Sequence, residues 1–260
     1  MRRSALLPLL AALALLSGCA TSSGTTREQE RSNAAGRKAS AAEINVSLGQ
    51  SYMRQGKLEI AKEKLERALQ LDPKLPDAHT VIPVLYEQIN DTASAARHYQ
   101  RAAELAPKAG VVNNNYGTFL CKRGDYARAD AYYQKALQDP FYDTPAVALA
   151  NRGACALKWK KPDLAEESFR KALQINPNQP DALLSLAEIL YGKGDYFRAR
   201  AFVQRHDAGG KAGPDALLLA MRIEEGLGDR RAARDYKNRL LQQYPESDQA
   251  QDLKDSEATR

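Results

Sequence analysis

The sequence predicts an all-α protein, a solenoid of about six helix–turn–helix repeats. Three observations support this fold class: an alanine recurs at intervals of 34 residues with one interval of 36, glycines separate the two halves of most periods, and prolines close them. The recurring alanines are Ala61, Ala95, Ala129, Ala165, Ala199 and Ala233. Such a period is typical of stacked helical pairs, because a single pair cannot bury its own apolar face. Residues 42–247 are therefore predicted to form one quasi-linear array.

Three segments align closely enough to define the repeat. They are LGQSYMRQGKLEIAKEKLERALQLDP (48–73), YGTFLCKRGDYARADAYYQKALQDP (116–140) and RGACALKWKKPDLAEESFRKALQINP (152–177). Their pattern resembles the tetratricopeptide repeat, and the resemblance implies a right-handed superhelix. In this frame the repeats begin near Ala42, Pro76, Gly110, Ala146, Pro180 and Pro214. A short insertion, FYDTP (141–145), separates the third repeat from the fourth.

The residues at the repeat positions have mechanical roles. Two helices cross closely only where side chains are small, so Gly49, Gly117 and Gly153 are predicted to lie opposite the recurring alanines. A large residue four positions after each alanine fills the adjacent space, except in the sixth repeat, where Lys237 takes that position. Four first helices are predicted to end at a glycine in the left-handed conformation. These glycines are Gly56, Gly124, Gly194 and Gly228.

The N-terminal region is predicted to lie outside the repeat array. Residues 1–18 have a basic start and a short apolar stretch, as a secretory signal does. The four residues Leu16–Cys19 resemble the bacterial lipobox, which implies cleavage before Cys19 and acylation of its thiol; an ordinary signal with a chance cysteine is the alternative. Ala20 implies, by the same resemblance, the outer membrane of a Gram-negative bacterium, facing the periplasm. Residues 19–41 have no periodic apolar face and are predicted to be a lipidated flexible tether.

Charge and motifs argue against nucleic-acid binding and catalysis. Lys and Arg are interspersed with Asp and Glu at a formal net charge of +6, which is typical of solvated helix faces rather than a nucleic-acid stripe. The sequence has no glycine-rich phosphate loop, no His-Glu-x-x-His and no Gly-x-Ser-x-Gly. His79, His98 and His206 lie at unrelated repeat positions and are predicted to be surface or packing residues. We therefore expect no enzyme activity, no metal and no cofactor.

Two cysteines remain for the folded part of the chain. Cys121 and Cys155 lie on the first helices of the third and fourth repeats, which are neighbours in the array. In an oxidising periplasm they can form a disulfide if their Cβ atoms face one another. Two separate buried thiols are the alternative, because cysteine packs well as a small apolar residue.

The first helices are predicted to line a groove that binds a protein partner. Asn115 and Asn151 occupy the same position in successive repeats, where their amides could hydrogen-bond the backbone of an extended peptide. Asparagine is also ordinary at this position, which is the competing interpretation. Val147 stands where a carboxylate-binding array would carry a basic residue, which disfavours capture of a free carboxylate. The candidate groove residues are Val46, Gln50, Met53, Val84, Glu87, Asn114, Asn115, Thr118, Asn151 and Leu157.

Two segments of the third and fourth repeats resemble one family in particular. NNNYGTFLCKRGDYARADAYYQKAL (113–137) and ALANRGACAL (148–157) are similar to the type IV pilus biogenesis and stability lipoprotein, the pilotin of the pilus secretin. The resemblance implies a non-catalytic outer-membrane lipoprotein that binds the secretin subunit and promotes its outer-membrane localisation and multimer assembly, supporting twitching motility. It also implies pairing of Cys121 with Cys155. An outer-membrane adaptor that recruits peptidoglycan hydrolases or other envelope proteins is the alternative. The polar C-terminal tail, residues 248–260, adds nothing to the resemblance.

Overall fold

The computed structural model of the 260-residue chain describes residues 22–210 and 212–258. That part of the chain contains thirteen helices and no strand, which confirms the all-α prediction. The chain divides into two compact units, Met1–Leu75 and Pro76–Arg260. The predicted signal segment 1–18 and the predicted lipidation site Cys19 lie outside the described residues.

The first unit contains a helical hairpin formed by α1 (Ser22–Arg54) and α2 (Leu58–Leu71). The buried face of α2 consists of Ala61, Leu65 and Ala68. Gly49 on α1 lies so close to Leu65 that a Cβ on the glycine would be 2.6 Å from Cγ of the leucine. The hairpin therefore has the small-against-large contact expected of the first repeat.

The segment expected to be a flexible tether is helical from residue 22 onward, as the N-terminal part of α1. The described side chains between residues 32 and 40 are exposed, so this part of the helix buries no apolar face. Alanines together with Arg37 and Lys38 have high helix propensity, and lengthening an existing helix requires no new nucleus. Helix propensity extends the packed hairpin helix where the missing apolar periodicity had indicated an irregular chain.

The second unit contains five further hairpins and a terminal helix. The bounds are α3 Pro76–Gln88, α4 Thr92–Leu105, α5 Gly110–Lys122, α6 Tyr126–Ala136, α7 Pro145–Lys158, α8 Pro162–Ile175, α9 Pro180–Gly192, α10 Tyr196–Ala208, α11 Pro214–Gly226, α12 Arg230–Gln243 and α13 Asp248–Ala258. The odd-numbered helices from α3 to α11 begin within one residue of the predicted repeat starts. Each second helix from α4 to α10 packs against the first helix of the next hairpin.

The recurring alanines form the contact between the two helices of each hairpin. All six are buried, and five of them have no exposed surface. The large residues four positions later are also buried, with Tyr133 at 1% and Phe169 at 0% exposure. In the sixth repeat Tyr236, one residue before Lys237, packs against the apolar clusters instead. The predicted core positions are confirmed.

The predicted small residues contact the large side chain of the second helix more closely than they contact the alanine. A Cβ on Gly117 would lie 3.1 Å from the ring of Tyr133 and 3.2 Å from the carbonyl oxygen of Ala129. A Cβ on Gly153 would lie 2.7 Å from the ring of Phe169. The glycine therefore makes room for the large residue rather than for the alanine alone.

The turns inside the hairpins use the left-handed backbone conformation. The four predicted glycines have φ values between 72° and 80°, which confirms their role. In the second and fourth repeats the same place is taken by Asn90 and Lys160, each with φ of 60°. Asparagine tolerates this conformation better than lysine, whose Cβ makes it unfavourable.

The insertion between α6 and α7 is attached to the start of α5. Tyr142 is 9% exposed and packs with Ala136 and Ala148. A Cβ on Gly110 would lie 2.4 Å from Cγ of Tyr142, so only glycine fits beneath the ring. The backbone N–H of Gly110 also donates a 2.7 Å hydrogen bond to Oδ2 of Asp139. The insertion is therefore an ordered part of the second unit.

The C-terminal segment expected to be a polar tail is mostly helical. Its helix α13 begins 34 residues after α11 and packs against α11 and α12. Ala250 has no exposed surface and packs in one cluster with Ala216, Leu217 and Leu240. The helix is thus in the register of a further first helix, and it covers apolar side chains of the sixth repeat, as a terminal capping element does.

Candidate partner-binding cleft

Six of the ten predicted groove residues line one cleft in the second unit, with a volume of about 510 Å³. The six are Val84, Glu87, Asn114, Asn115, Thr118 and Asn151, and the same cleft is lined by Gln88, Tyr99 and Lys122. Spacings of three to four residues along α5 place Asn114 or Asn115, Thr118 and Lys122 on one face of the helix. We call this surface the asparagine cleft.

The other four predicted groove residues lie elsewhere. Leu157, near the end of α7, is 36% exposed and does not line the asparagine cleft. Val46, Gln50 and Met53 belong to α1 in the first unit. Val46 is 5% exposed, so its side chain is a core residue rather than part of an open groove, which corrects the prediction for that position.

The asparagines form a hydrogen-bonded network along the floor of the cleft. Nδ2 of Asn151 donates to Oδ1 of Asn114 at 3.1 Å, which joins α7 to α5. Nδ2 of Asn114 in turn approaches Oδ1 of Asn115 at 3.5 Å. The hydroxyl of Thr118 donates to the carbonyl oxygen of Asn114 and accepts from the Tyr133 hydroxyl at 3.2 Å. Asn115 keeps its Nδ2 group without a hydrogen bond within the described residues, so this amide remains available as a donor.

An ion pair closes one end of the cleft and joins α3 to α5. Nζ of Lys122 donates to Oε2 of Glu87 at 2.6 Å, and the Tyr99 hydroxyl donates to Oε1 at 2.6 Å. Burial, together with the hydrogen bond to Glu87, raises the pKa of Tyr99 well above its ordinary value. Both carboxylate oxygens are therefore occupied, and the charges at this end neutralise one another.

Tyr99 and Lys122 were not among the predicted groove residues. The repeat pattern assigns Tyr99 to the core position four residues after Ala95, and its ring does lie in the core at 4% exposure. Only its hydroxyl reaches the cleft. The signal available in the sequence was a tyrosine at a position that leucine or valine fills in other repeats, because a buried phenol oxygen requires a partner.

A disulfide lies directly behind the cleft. The structure joins Cys121 to Cys155, with sulfur atoms 2.15 Å apart and Cα atoms 5.8 Å apart. Cys155 is one helical turn after Asn151, and Cys121 precedes Lys122. A half-buried ion pair between Arg152 and Asp130, 2.6 Å between Nε and Oδ1, lies on the same side of α7. The covalent bond and the asparagine pair together fix α5 against α7.

The histidines are arranged differently from the prediction. Nδ1 of His79 lies 3.2 Å from Nδ1 of His98, and the Tyr86 ring stacks on His98 with ring centres 5.4 Å apart. Burial, followed by the charges of His79 and Arg97, lowers the pKa of His98 to about 4. These are packing residues, as expected, but as a pair rather than as separate side chains. Within the described ranges no three or more His, Cys, Asp or Glu side chains converge to hold a metal ion.

No helix in residues 22–210 or 212–258 combines the length and the apolarity needed to cross a bilayer. The cleft is lined by amides, a hydroxyl, one apolar side chain and a neutralised ion pair. Such a surface matches the N–H and C=O groups of an extended polypeptide.

The helical hairpins and their buried alanines define a tetratricopeptide-repeat protein. The tetratricopeptide-repeat family matches residues 42–75, 84–145, 146–179, 168–201 and 215–247. Together these matches cover most of the chain, which confirms the fold class.

Known proteins narrow the class further. The type IV pilus assembly protein PilF of Pseudomonas aeruginosa is 33% identical over 245 residues, which are 94% of this chain and 95% of PilF. A solved structure of P. aeruginosa PilF has a TM-score of 0.76 at 32% identity, covering 84% of this chain and 99% of that one. The crystal structure of PilW, a widely conserved type IV pilus biogenesis factor, gives 0.74 at 32% identity, over 82% of this chain and 97% of that one. The chain belongs to this family of tetratricopeptide-repeat proteins of type IV pilus biogenesis.

Proposed function

We propose that this protein is a non-catalytic outer-membrane lipoprotein that binds the pilus secretin subunit. In this role it promotes the outer-membrane localisation and multimer assembly of the secretin, and so supports pilus biogenesis and twitching motility. Membership of the pilus biogenesis family supports the process. The observation that carries the proposed mechanism is the asparagine cleft, an open surface whose charges are internally paired and whose remaining polar groups are amides.

The cleft is suited to an extended segment of the partner. Asn115 offers a free amide donor, and Asn114 is held in place by Asn151, so little side-chain order is lost when a peptide binds. Val84 is 37% exposed and offers an apolar contact beside these amides. An extended strand alternates side chains with backbone N–H and C=O groups, which matches this mixture.

The proposed membrane attachment depends on Cys19. A diacylglyceryl group on the thiol and a third chain on the freed amine would anchor the protein stably, because each buried methylene contributes about 0.8 kcal/mol and a single acyl chain is marginal. Acylation then gives the bound secretin subunit an address in the outer membrane, while the cleft provides recognition.

The anchor can be tested separately from binding. A variant carrying Cys19→Ala and a cleavable non-lipoprotein signal should be a soluble periplasmic protein that folds and still binds the secretin. We expect heat-resistant secretin multimers to be lost from the outer-membrane fraction, with monomers found elsewhere in the envelope. A strain with the same substituted signal but an intact Leu16–Cys19 segment is the control. Normal multimers in the Cys19→Ala strain would show that escort to the membrane is not the function.

The cleft can be tested by affinity. Asn115→Ala removes the free amide and should weaken binding of the full chain to detergent-solubilised secretin subunit by about fivefold to tenfold, the value of one or two hydrogen bonds. Gln174→Ala on the exposed face of α8 is the matched control and should leave affinity unchanged. Equal affinities for wild type and Asn115→Ala would exclude the asparagine cleft as the binding surface.

A further inference from the structure

The insertion loop between α6 and α7 presents an exposed aromatic side chain. Phe141 is 92% exposed, the largest value among the exposed large hydrophobic residues of the described chain. A phenylalanine ring left in water is unfavourable, and single exposed apolar residues are usually long aliphatic side chains or lie on mobile segments. The cause of this exposure lies in how the loop is held.

The residues on both sides of Phe141 are fixed to the second unit. Oδ1 of Asp139 accepts a hydrogen bond from the Phe141 N–H at 2.9 Å, and Oδ2 accepts one from the Gly110 N–H at 2.7 Å. Tyr142 is buried over Gly110, where no other residue fits. The loop therefore orients the Phe141 ring away from the core through groups that are themselves ordered. A partner that binds this ring loses little backbone entropy, which favours affinity.

We propose that Phe141 is an anchor that inserts into an apolar pocket on the secretin subunit; this inference rests on the proposed function. Aromatic side chains that become desolvated in a pocket carry most of the binding energy of protein interfaces. The loop lies one helical turn before Asn114 on α5, because Tyr142 covers Gly110. Phe141 thus extends the contact surface beyond the asparagine cleft.

The charge beside the ring indicates the chemistry of the pocket. Asp143 is exposed and forms no ion pair within the described residues, so a partner pocket with Lys or Arg at its rim complements it. The same carboxylate disfavours insertion into an anionic membrane surface, where it would meet like charge. The exposed neighbours Pro140 and Thr144 add no second large apolar side chain, as membrane insertion would need.

The test compares two exposed phenylalanines on the full-length protein. Phe141→Ala should weaken binding to detergent-solubilised secretin subunit by about tenfold or more, which corresponds to ~1.4 kcal/mol. Phe197→Ala removes the same ring from a 75% exposed position on α10 and should change affinity by less than about twofold. Phe141→Trp keeps an aromatic anchor and should retain most of the affinity. Asp143→Lys should slow association at low salt.

The outcomes separate this inference from the proposed function. If wild type binds the secretin and Phe141→Ala binds equally well, or if Phe197→Ala is equally weakened, the anchor is wrong and the proposed function stands. If wild type does not bind, both fail. Loss of binding to phosphatidylglycerol vesicles, rather than to the secretin, would make Phe141 a membrane contact. Conversion of a wild-type dimer to a monomer by Phe141→Ala would make it a contact between two copies of this chain. Either result would overturn the inference.

Discussion

Gly153 on α7 lies against the ring of Phe169 on α8, so closely that a Cβ on the glycine would be 2.7 Å from Cε1 of the ring. Phe169 has no exposed surface and cannot move aside. Gly153→Ala should therefore lower the free energy of unfolding by about 1–3 kcal/mol, although alanine is the better helix former. Thermal and urea unfolding monitored by circular dichroism measure the change.

Gly192 at the end of α9 is the matched control for this substitution. A Cβ at Gly192 would meet no atom within 4 Å, so Gly192→Ala should be neutral or stabilising by up to about 1 kcal/mol. An unfolding temperature of Gly153→Ala at or above that of wild type would contradict the packing account of the hairpin.

Lys160 should be replaceable by glycine with a gain in stability. Its φ of 60° lies in the left-handed region, where a Cβ costs about 1 kcal/mol. Lys160→Gly removes that cost and should raise the free energy of unfolding by about 0.5–1 kcal/mol, since part of the gain is offset by the greater freedom of glycine in the unfolded chain. Ala154→Gly, at an exposed site inside α7, should instead lose about 1 kcal/mol. Destabilisation by both glycines would refute the conformational argument.

The disulfide should contribute strongly to stability. Cys121 and Cys155 are 34 residues apart in the sequence, and closing a loop of that length restricts the unfolded chain by roughly 3–4 kcal/mol. The double variant Cys121→Ala/Cys155→Ala should therefore unfold at lower urea concentration than oxidised wild type. Reductant should bring wild type close to the double variant and leave the double variant unchanged. A double variant as stable as oxidised wild type would show that the bond adds no stability.

Stability should fall as the pH drops from about 6.5 toward 4. In the folded protein the pKa of His98 is lowered from 6.5 to about 4. Between these values the unfolded chain binds a proton that the folded protein does not, so acid favours unfolding, by at most ~1.4 kcal/mol per pH unit for one proton. Above pH 6.5 this dependence disappears, because neither state is protonated at His98.

His98→Phe preserves stacking on Tyr86 and should reduce the loss of stability in this pH range. His206→Gln keeps the pair of His79 and His98 and should retain it. Urea unfolding at several pH values measures the slope for each variant. An unchanged slope in His98→Phe would show that other groups cause the acid sensitivity.

The hairpins and their core were predictable from the sequence because they depend on local rules that repeat. An alanine every 34 residues, followed by a large residue, specifies the same contact in each hairpin, and the six buried alanines show the result. The register also extends to Ala250, but the polar residues around it concealed the signal. One buried alanine suffices to seat α13 against the sixth repeat, which composition alone does not indicate.

The candidate site was predictable in part. Repeat positions placed Asn114, Asn115 and Asn151 on neighbouring first helices, and the structure brings them together in one cleft. The contacts that shape the cleft were not predictable, because they join residues at different repeat positions. Glu87 meets Lys122 from the next repeat and the hydroxyl of Tyr99 from its own second helix. Such cross-helix distances depend on how the hairpins stack.

The central claim, that the asparagine cleft holds the secretin subunit, is tested most directly by photocrosslinking in living cells. A benzophenone amino acid replaces Asn115 in the cleft or Gln174 on the exposed face of α8, and the products are detected with antibodies against the secretin. We predict a light-dependent adduct of the two proteins from position 115 and none from position 174. A secretin adduct from position 174 but not from position 115, or from neither, would contradict the account.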